Sequence, residues 1–159
     1  MKHIHNDGGR AAAGFKGSAG DCVARAVAIA SGKPYAEVYA ALAHGMGTQR
    51  ASKRQRGIAE LRAALRGRKS NVATARAGIN VKRKWFKDYM TGLGWTWTPT
   101  MYIGQGCKVH LRADELPPGR LVVALSRHYA AVIDGVLHDT YEDTRGGTRC
   151  VYGYWSRAS

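Results

Sequence analysis

Cys22, His128 and Asp139 are the residues whose types and positions suit covalent chemistry in this chain. A thiolate attacks a carbonyl, an imidazole takes the thiol proton, and a carboxylate holds the imidazole in the tautomer that accepts it. Cys22 follows Asp21, which suits an N-cap, and precedes Val23, Ala26, Val27, Ile29 and Ala30 at helical spacing. The thiol therefore falls in the first turn of a helix. Unpaired backbone N–H groups and the helix dipole there favour an anion and lower a thiol pKa. The same N–H groups suit the oxyanion that forms on attack. By residue type alone a small buried core cysteine is the commoner case, but burial is less natural in a first turn than in mid-helix.

The histidine and the acid share a hairpin. His128 to Ile133 and Val136 to Tyr141 flank Asp134-Gly135, a pair that tolerates the positive φ angles of a two-residue turn. With Ile133 opposite Val136, Ala130 faces Asp139 and His128 faces Tyr141. His128 and Asp139 become diagonal neighbours on one face, at a Cβ separation of roughly 7 Å, while His138 points to the other face. A one-residue bulge at the turn would reverse the parity and bring His138 to His128 instead. Taken singly, His128 reads as a half-buried strand histidine and Asp139 as an acid bonded to nearby backbone.

These residues need elements to carry them. The Cys22 helix ends at Gly32, and a second helix starts near Pro34, turns Val38, Ala41 and Leu42 inward and stops around Gly45. Residues 49–87 form a basic middle in which Ile58, Leu61 and Leu65 keep helical spacing. A short helix over 81–92 buries Trp85, Phe86 and Tyr89. After Gly94 the pattern becomes β: Trp95 to Thr98 alternates, Tyr102-Ile103 continues it, Leu121 to Leu125 is a buried run, and Cys150 to Trp155 is a last strand. Pro117-Pro118-Gly119 and Gly146-Gly147 are turns. The layout is α+β: a flexible arm over 1–20, then a single domain over 21–159, with a helical half at 21–92 and a β half at 95–159.

Composition bounds the rest. A chain of 159 residues makes one domain with a core, and no apolar run reaches the length of a membrane span. The N-terminus lacks a secretory signal pattern, so a cytoplasmic location is expected. Three cysteines, Cys22, Cys107 and Cys150, are odd in number and widely spread, which argues against a disulfide framework. Cys107 with His110, or His3 with His5, lacks a second pair at ligand spacing, so no metal site is expected. Gly104-Gln105-Gly106 is too short for a phosphate loop. The net charge of +14 favours acidic partners. Within the basic segment, Lys82-Arg83-Lys84-Trp85-Phe86-Lys87 interleaves cations with aromatics, as nucleic-acid surfaces do. The same aromatics fit a core-facing helix stripe.

Asp21-Cys22-Val23-Ala24-Arg25-Ala26 resembles the Asp-Cys-Gly-Pro-Ala start of the bacteriocin-processing cysteine peptidases and, more loosely, of the papain superfamily. The stretch from His128 to Asp139 is similar to the His strand and following acid of the same group. Gly32-Lys33-Pro34-Tyr35, Leu93-Gly94-Trp95 and the run from Val151 to Trp155 add a resemblance to uncharacterised bacteriophage-encoded proteins, which implies a host-cell cytoplasm. The resemblance implies a papain-like fold, N-terminal helices packed on a C-terminal antiparallel sheet. It implies a Cys-His-Asp hydrolase acting on a peptide, isopeptide or related amide, with no metal or organic cofactor. Six positions before the cysteine the superfamily has a Gln that donates to the oxyanion. Here Lys16 stands there, so Lys16 and the backbone of Cys22 are the expected donors. Val23-Ala24 replaces the family's Gly-Pro. The alternative is a papain-like fold with little or no activity that binds nucleic acid or an acidic host protein through Lys82, Arg83, Lys84 and Lys87.

Overall fold

Val23 to Ala30 is apolar at every position but Arg25, and this run becomes the buried helix α1, Cys22–Ser31. Gly32 ends it in the left-handed conformation, at φ 73°, with its N–H on the Ala28 carbonyl. The computed structural model describes residues 1–15, 21–48 and 81–157 of the chain. Pro34 opens α2, Tyr35–Thr48, and its carbonyl accepts the Glu37 and Val38 N–H groups. The helix continues past Gly45, where the sequence suggested a stop. The Trp85 ring lies where a Cβ would stand, 2.2 Å away, so this glycine serves a close helix–helix approach rather than a helix end. Trp85 belongs to α3, Lys84–Gly92, which buries Phe86 and Met90 and leaves Trp85 and Tyr89 half-buried.

Among the described residues six strands form one sheet: β1 Lys2–His5, β2 Trp95–Pro99, β3 Arg120–Leu125, β4 His128–Ile133, β5 Val136–Asp139 and β6 Gly153–Arg157, in the spatial order β1-β5-β4-β3-β6-β2. The fold is α+β, as expected. The sheet is mixed rather than antiparallel, because β1 runs parallel to β5 along one edge. That strand also corrects the reading of the N-terminus as a loose arm. Lys2–His5 pair with Val136–Asp139, and Gly8 sits so close to α1 that a Cβ there would be 3.1 Å from the Arg25 carbonyl. Alternating polar residues in a short edge strand gave no burial signal.

Two apolar cores follow from strand alternation. Val122, Ala124, Tyr129 and Ala131 pack with α1, α2, Phe86, Trp95 and Trp155. Leu121, Val123, Leu125, Ala130, Val132 and Leu137 pack with Leu111, Leu116 and Val151. Two strand expectations shift. Tyr102 and Ile103 lie in an exposed turn outside β2, and β6 begins at Gly153, while Cys150 makes only an isolated bridge to His110. Cys150 is also disulfide-bonded to Cys107, with 5.8 Å between their Cα atoms. This overturns the reading of the cysteine count as evidence against disulfide bonding. An odd count says nothing about the remaining two once Cys22 is set apart. No helix among the described residues is long and apolar enough to cross a membrane.

Candidate active site

The β4–β5 turn has the geometry its sequence calls for, with Asp134 at φ 47° and Gly135 at φ 77°. The register is Ile133–Val136, Val132–Leu137 and Ala131–His138, with no bulge at the turn. Parity therefore places Asp139 on the face of His128. The two side chains meet: His128 Nε2 lies 2.5 Å from Asp139 Oδ2, and both residues are buried. Asp139 is itself held, since its Oδ1 accepts the Thr140 N–H at 2.7 Å. His138 lies on the other face, with its Nδ1 3.4 Å from Asn6 Nδ2. Burial, aided by the Arg120 and His3 charges, lowers the His138 pKa.

Cys22, the free cysteine, stands half-buried at the start of α1, where the His128 side chain and the Tyr129 backbone act on its thiol. With Nε2 committed to the carboxylate, Nδ1 is the nitrogen left for the thiol. Burial by itself raises the Cys22 pKa. The His128 and Tyr129 hydrogen bonds, with the His128 and Arg25 charges, outweigh it, and the pKa falls below the ordinary thiol value. Burial likewise works against the His128 imidazolium, but Asp139 and Cys22 overcome it and push the His128 pKa up to about 9. The two shifts describe one pair, stabilised as thiolate and imidazolium.

Asp21 has a different task from the one expected. It occupies the N-cap position but makes no side-chain cap hydrogen bond. Its buried carboxylate instead collects Arg25 Nη1 at 2.5 Å, Arg10 Nε at 2.9 Å and the Tyr35 hydroxyl. This cluster ties α1 to α2 and to the N-terminal turn. Arg25 Nη2 also stands 4.0 Å from Asp139 Oδ1, so the helix that carries the thiol reaches the acid of the site. The Asp21–Arg25 spacing of one helical turn was visible in the sequence; Arg10 and Tyr35 were not readable as partners.

Two further residues, Asp143 and Arg149, are buried beside His128 and carry no motif that marks them. Asp143 Oδ2 lies 3.3 Å from His128 Nε2, and Arg149 Nη1 donates to that same oxygen at 3.0 Å. Arg149 Nη2 donates to the Ser126 carbonyl at 2.9 Å. Tyr141 stands with its ring centroid 5.7 Å from that of His128 and is largely exposed.

Among the described residues, His128, Asp139 and Asp143 are the His, Cys, Asp or Glu group whose donor atoms converge, all within 4.8 Å. They do not fit a metal as they stand. Two donors on one tetrahedral zinc ion, each at about 2.0 Å, stand more than about 3 Å apart. The 2.5 Å between Nε2 and Oδ2 is the span of a shared proton, and Arg149 Nη1 already bonds the Asp143 oxygen that faces Nε2.

Lys16 lies outside the described residues, as do the cations of 49–80 and the helical pattern of Ile58, Leu61 and Leu65. Asn6 Oδ1 accepts the Gly8 N–H at 2.8 Å, and its Nδ2 faces His138. In the basic motif, Phe86 is fully buried and Trp85 packs edge-on against it, so the aromatics belong to the core and not to a stacking surface. Lys82, Lys84 and Lys87 are exposed, with Lys84 Nζ 2.6 Å from Asp88 Oδ2, and Arg83 is half-buried. Comparison with protein-family models, curated proteins and solved structures yields no match.

Proposed function

We propose that the chain is a papain-like cysteine hydrolase that cleaves a peptide, isopeptide or related amide. One observation carries the reading: a free thiol at a helix start is electrostatically coupled to an imidazole that is bonded, at 2.5 Å, to a buried carboxylate. The Cys22 thiolate attacks the amide carbonyl, and the oxyanion turns toward the backbone N–H at the start of α1. His128 Nδ1 gives its proton to the departing amine, which leaves a thioester on Cys22. His128 then takes a proton from water as it attacks, and the acid product and free thiol are restored. Asp139 fixes the ring through Nε2 in both halves. The Cys107–Cys150 bridge weighs toward an oxidising setting and against a reducing cytoplasm.

The test is a thiol-directed amide-mimic probe applied at neutral pH and read by intact mass. Cys22 should be labelled, the label should vanish in Cys22→Ala, and the labelling rate should drop by roughly 100-fold or more in His128→Ala. A Cys22 no faster than a free model thiol would sink the proposal.

A second reading draws on the net charge of +14 and the exposed Lys82, Lys84 and Lys87: a basic module that binds nucleic acid or an acidic host protein. Affinity for arbitrary DNA or RNA that falls steeply with salt and is unchanged by Cys22→Ala would favour it. The two readings can coexist on one chain.

A further inference from the structure

His128 Nε2 faces two carboxylates, where the hydrolase reading needs one. We propose that Asp143, fixed by Arg149, is a second carboxylate charge paired with the imidazolium of His128 and a positioning residue of the site. The inference rests on the Cys-His-Asp reading for its catalytic meaning, and on geometry for its content.

The groups around His128 alternate in sign. Arg25 lies 4.0 Å from Asp139, Asp139 2.5 Å from His128, His128 3.3 Å from Asp143, and Asp143 3.0 Å from Arg149. Cys22 of α1 and the Tyr141 ring complete the surroundings of the imidazole. Two acids on one ring nitrogen repel each other unless cations flank them, and here a guanidinium stands against each. Asp143 and Arg149 are both at least nine-tenths buried, at 6% and 8% exposure. An ion pair so placed forfeits the hydration of both charges, and a surface loop had cheaper ways to close.

Arg149 does more than neutralise. Its Nη2 donates to the carbonyl of Ser126, the residue that opens the two-residue turn leading into His128. One guanidinium therefore joins the second acid to the base's own turn. The other oxygen of Asp143 is buried with no hydrogen-bond partner, so the carboxylate is aimed at Arg149 and His128 at the expense of its own full satisfaction. An acid that merely closed the loop would turn both oxygens to donors.

Asp143 thus adds negative charge behind the imidazolium and restricts the ring's rotation. The experiment is a pH titration of His128 in the full chain, followed by long-range proton–nitrogen NMR of the ring. Asp143→Asn should lower the His128 midpoint by about one unit or more, because an opposite charge favours the charged form. The melting point of each variant is recorded alongside. If Asp143→Asn leaves Arg149 buried without a partner and does not fold, Asp143→Asn/Arg149→Gln removes both charges, and the midpoint should still fall. A folded variant with its midpoint within a few tenths of a unit of the parent overturns the proposal. The titration needs no substrate. An inert Cys22 together with a shifted midpoint would defeat the hydrolase reading and leave Asp143 as a partner of His128.

Discussion

The state of the Cys22–His128 pair sets what the site can do at a given pH. The Cys22 pKa is lowered against the pull of burial, by His128, the Tyr129 backbone and Arg25, while that of His128 is raised to about 9 by Asp139 and Cys22. Both directions favour the pair as thiolate and imidazolium. On the proposed hydrolase reading, acylation with amine departure needs both, so the amide-cleaving rate should be bell-shaped, rising through the Cys22 pKa and falling near pH 9. Alkylation by iodoacetamide needs only the thiolate and should lack the alkaline fall. Asp139→Asn should move the alkaline limb down by about one unit or more, since it removes the charge that favours the imidazolium. An alkylation profile that titrates only near the ordinary thiol value would contradict this account. The sign carries over to stability. A raised His128 pKa helps the fold fully below the unfolded value near 6.5, and that help is lost as pH climbs toward about 9. The depressed Cys22 pKa works in reverse: its contribution is present above the unfolded thiol value and is lost as pH falls through the folded one.

At the scale of elements the hairpin turn decides whether the acid meets the base. Gly135 sits at φ 77°, and a Cβ there would stand 3.1 Å from that of Ala113. Gly135→Val adds a β-branched side chain at positive φ against that neighbour, and should cost about 2 kcal/mol in urea unfolding. Cys22 labelling should slow in the folded fraction as the β4–β5 register loosens, and an unchanged midpoint would show that the turn does not set the register. The pairing of His128 with Asp139 was legible because two residues of turn chemistry fix parity along both strands. The start of α1 was legible for a similar local reason, an apolar period opening at Cys22. The N-terminal strand was not, because Lys2–His5 is held by backbone pairing with β5 and by His3 Nε2, 3.0 Å from the Asp139 carbonyl, and neither follows from apolar patterning. Asp143 and Arg149 were missed because each is an ordinary loop residue by type, and only the return of 149 past the Ser126 turn brings them to His128. Trp85 and Phe86 fitted two readings, and burial of Phe86 decided for the core.

For the whole molecule, the question is what holds the return of the chain behind the site. Residues 107–111 run beside 149–151: Leu111 N–H donates to the Arg149 carbonyl, Val151 N–H donates to that of Val109, and His110 bridges Cys150. The disulfide from Cys107 to Cys150 closes this contact across a sequence separation of 43 residues. Closing a loop of that size removes about 4 kcal/mol of chain entropy from the unfolded state. Cys107→Ser/Cys150→Ser should therefore melt lower by about 10 °C, given the transition entropy of a domain this long. The neighbouring Arg149 should pass the loss on to the site. As residue 150 gains freedom, the guanidinium loosens on Asp143 and Ser126, and the His128 midpoint drifts down before the fold is lost. The bridge predicts a single titratable thiol in the denatured, unreduced chain. Three titratable thiols, with a melting point that ignores both serines, would remove the staple and leave the loop entropy unrestrained. A single thiol with the expected loss would tie the far end of the sheet to the base of the site.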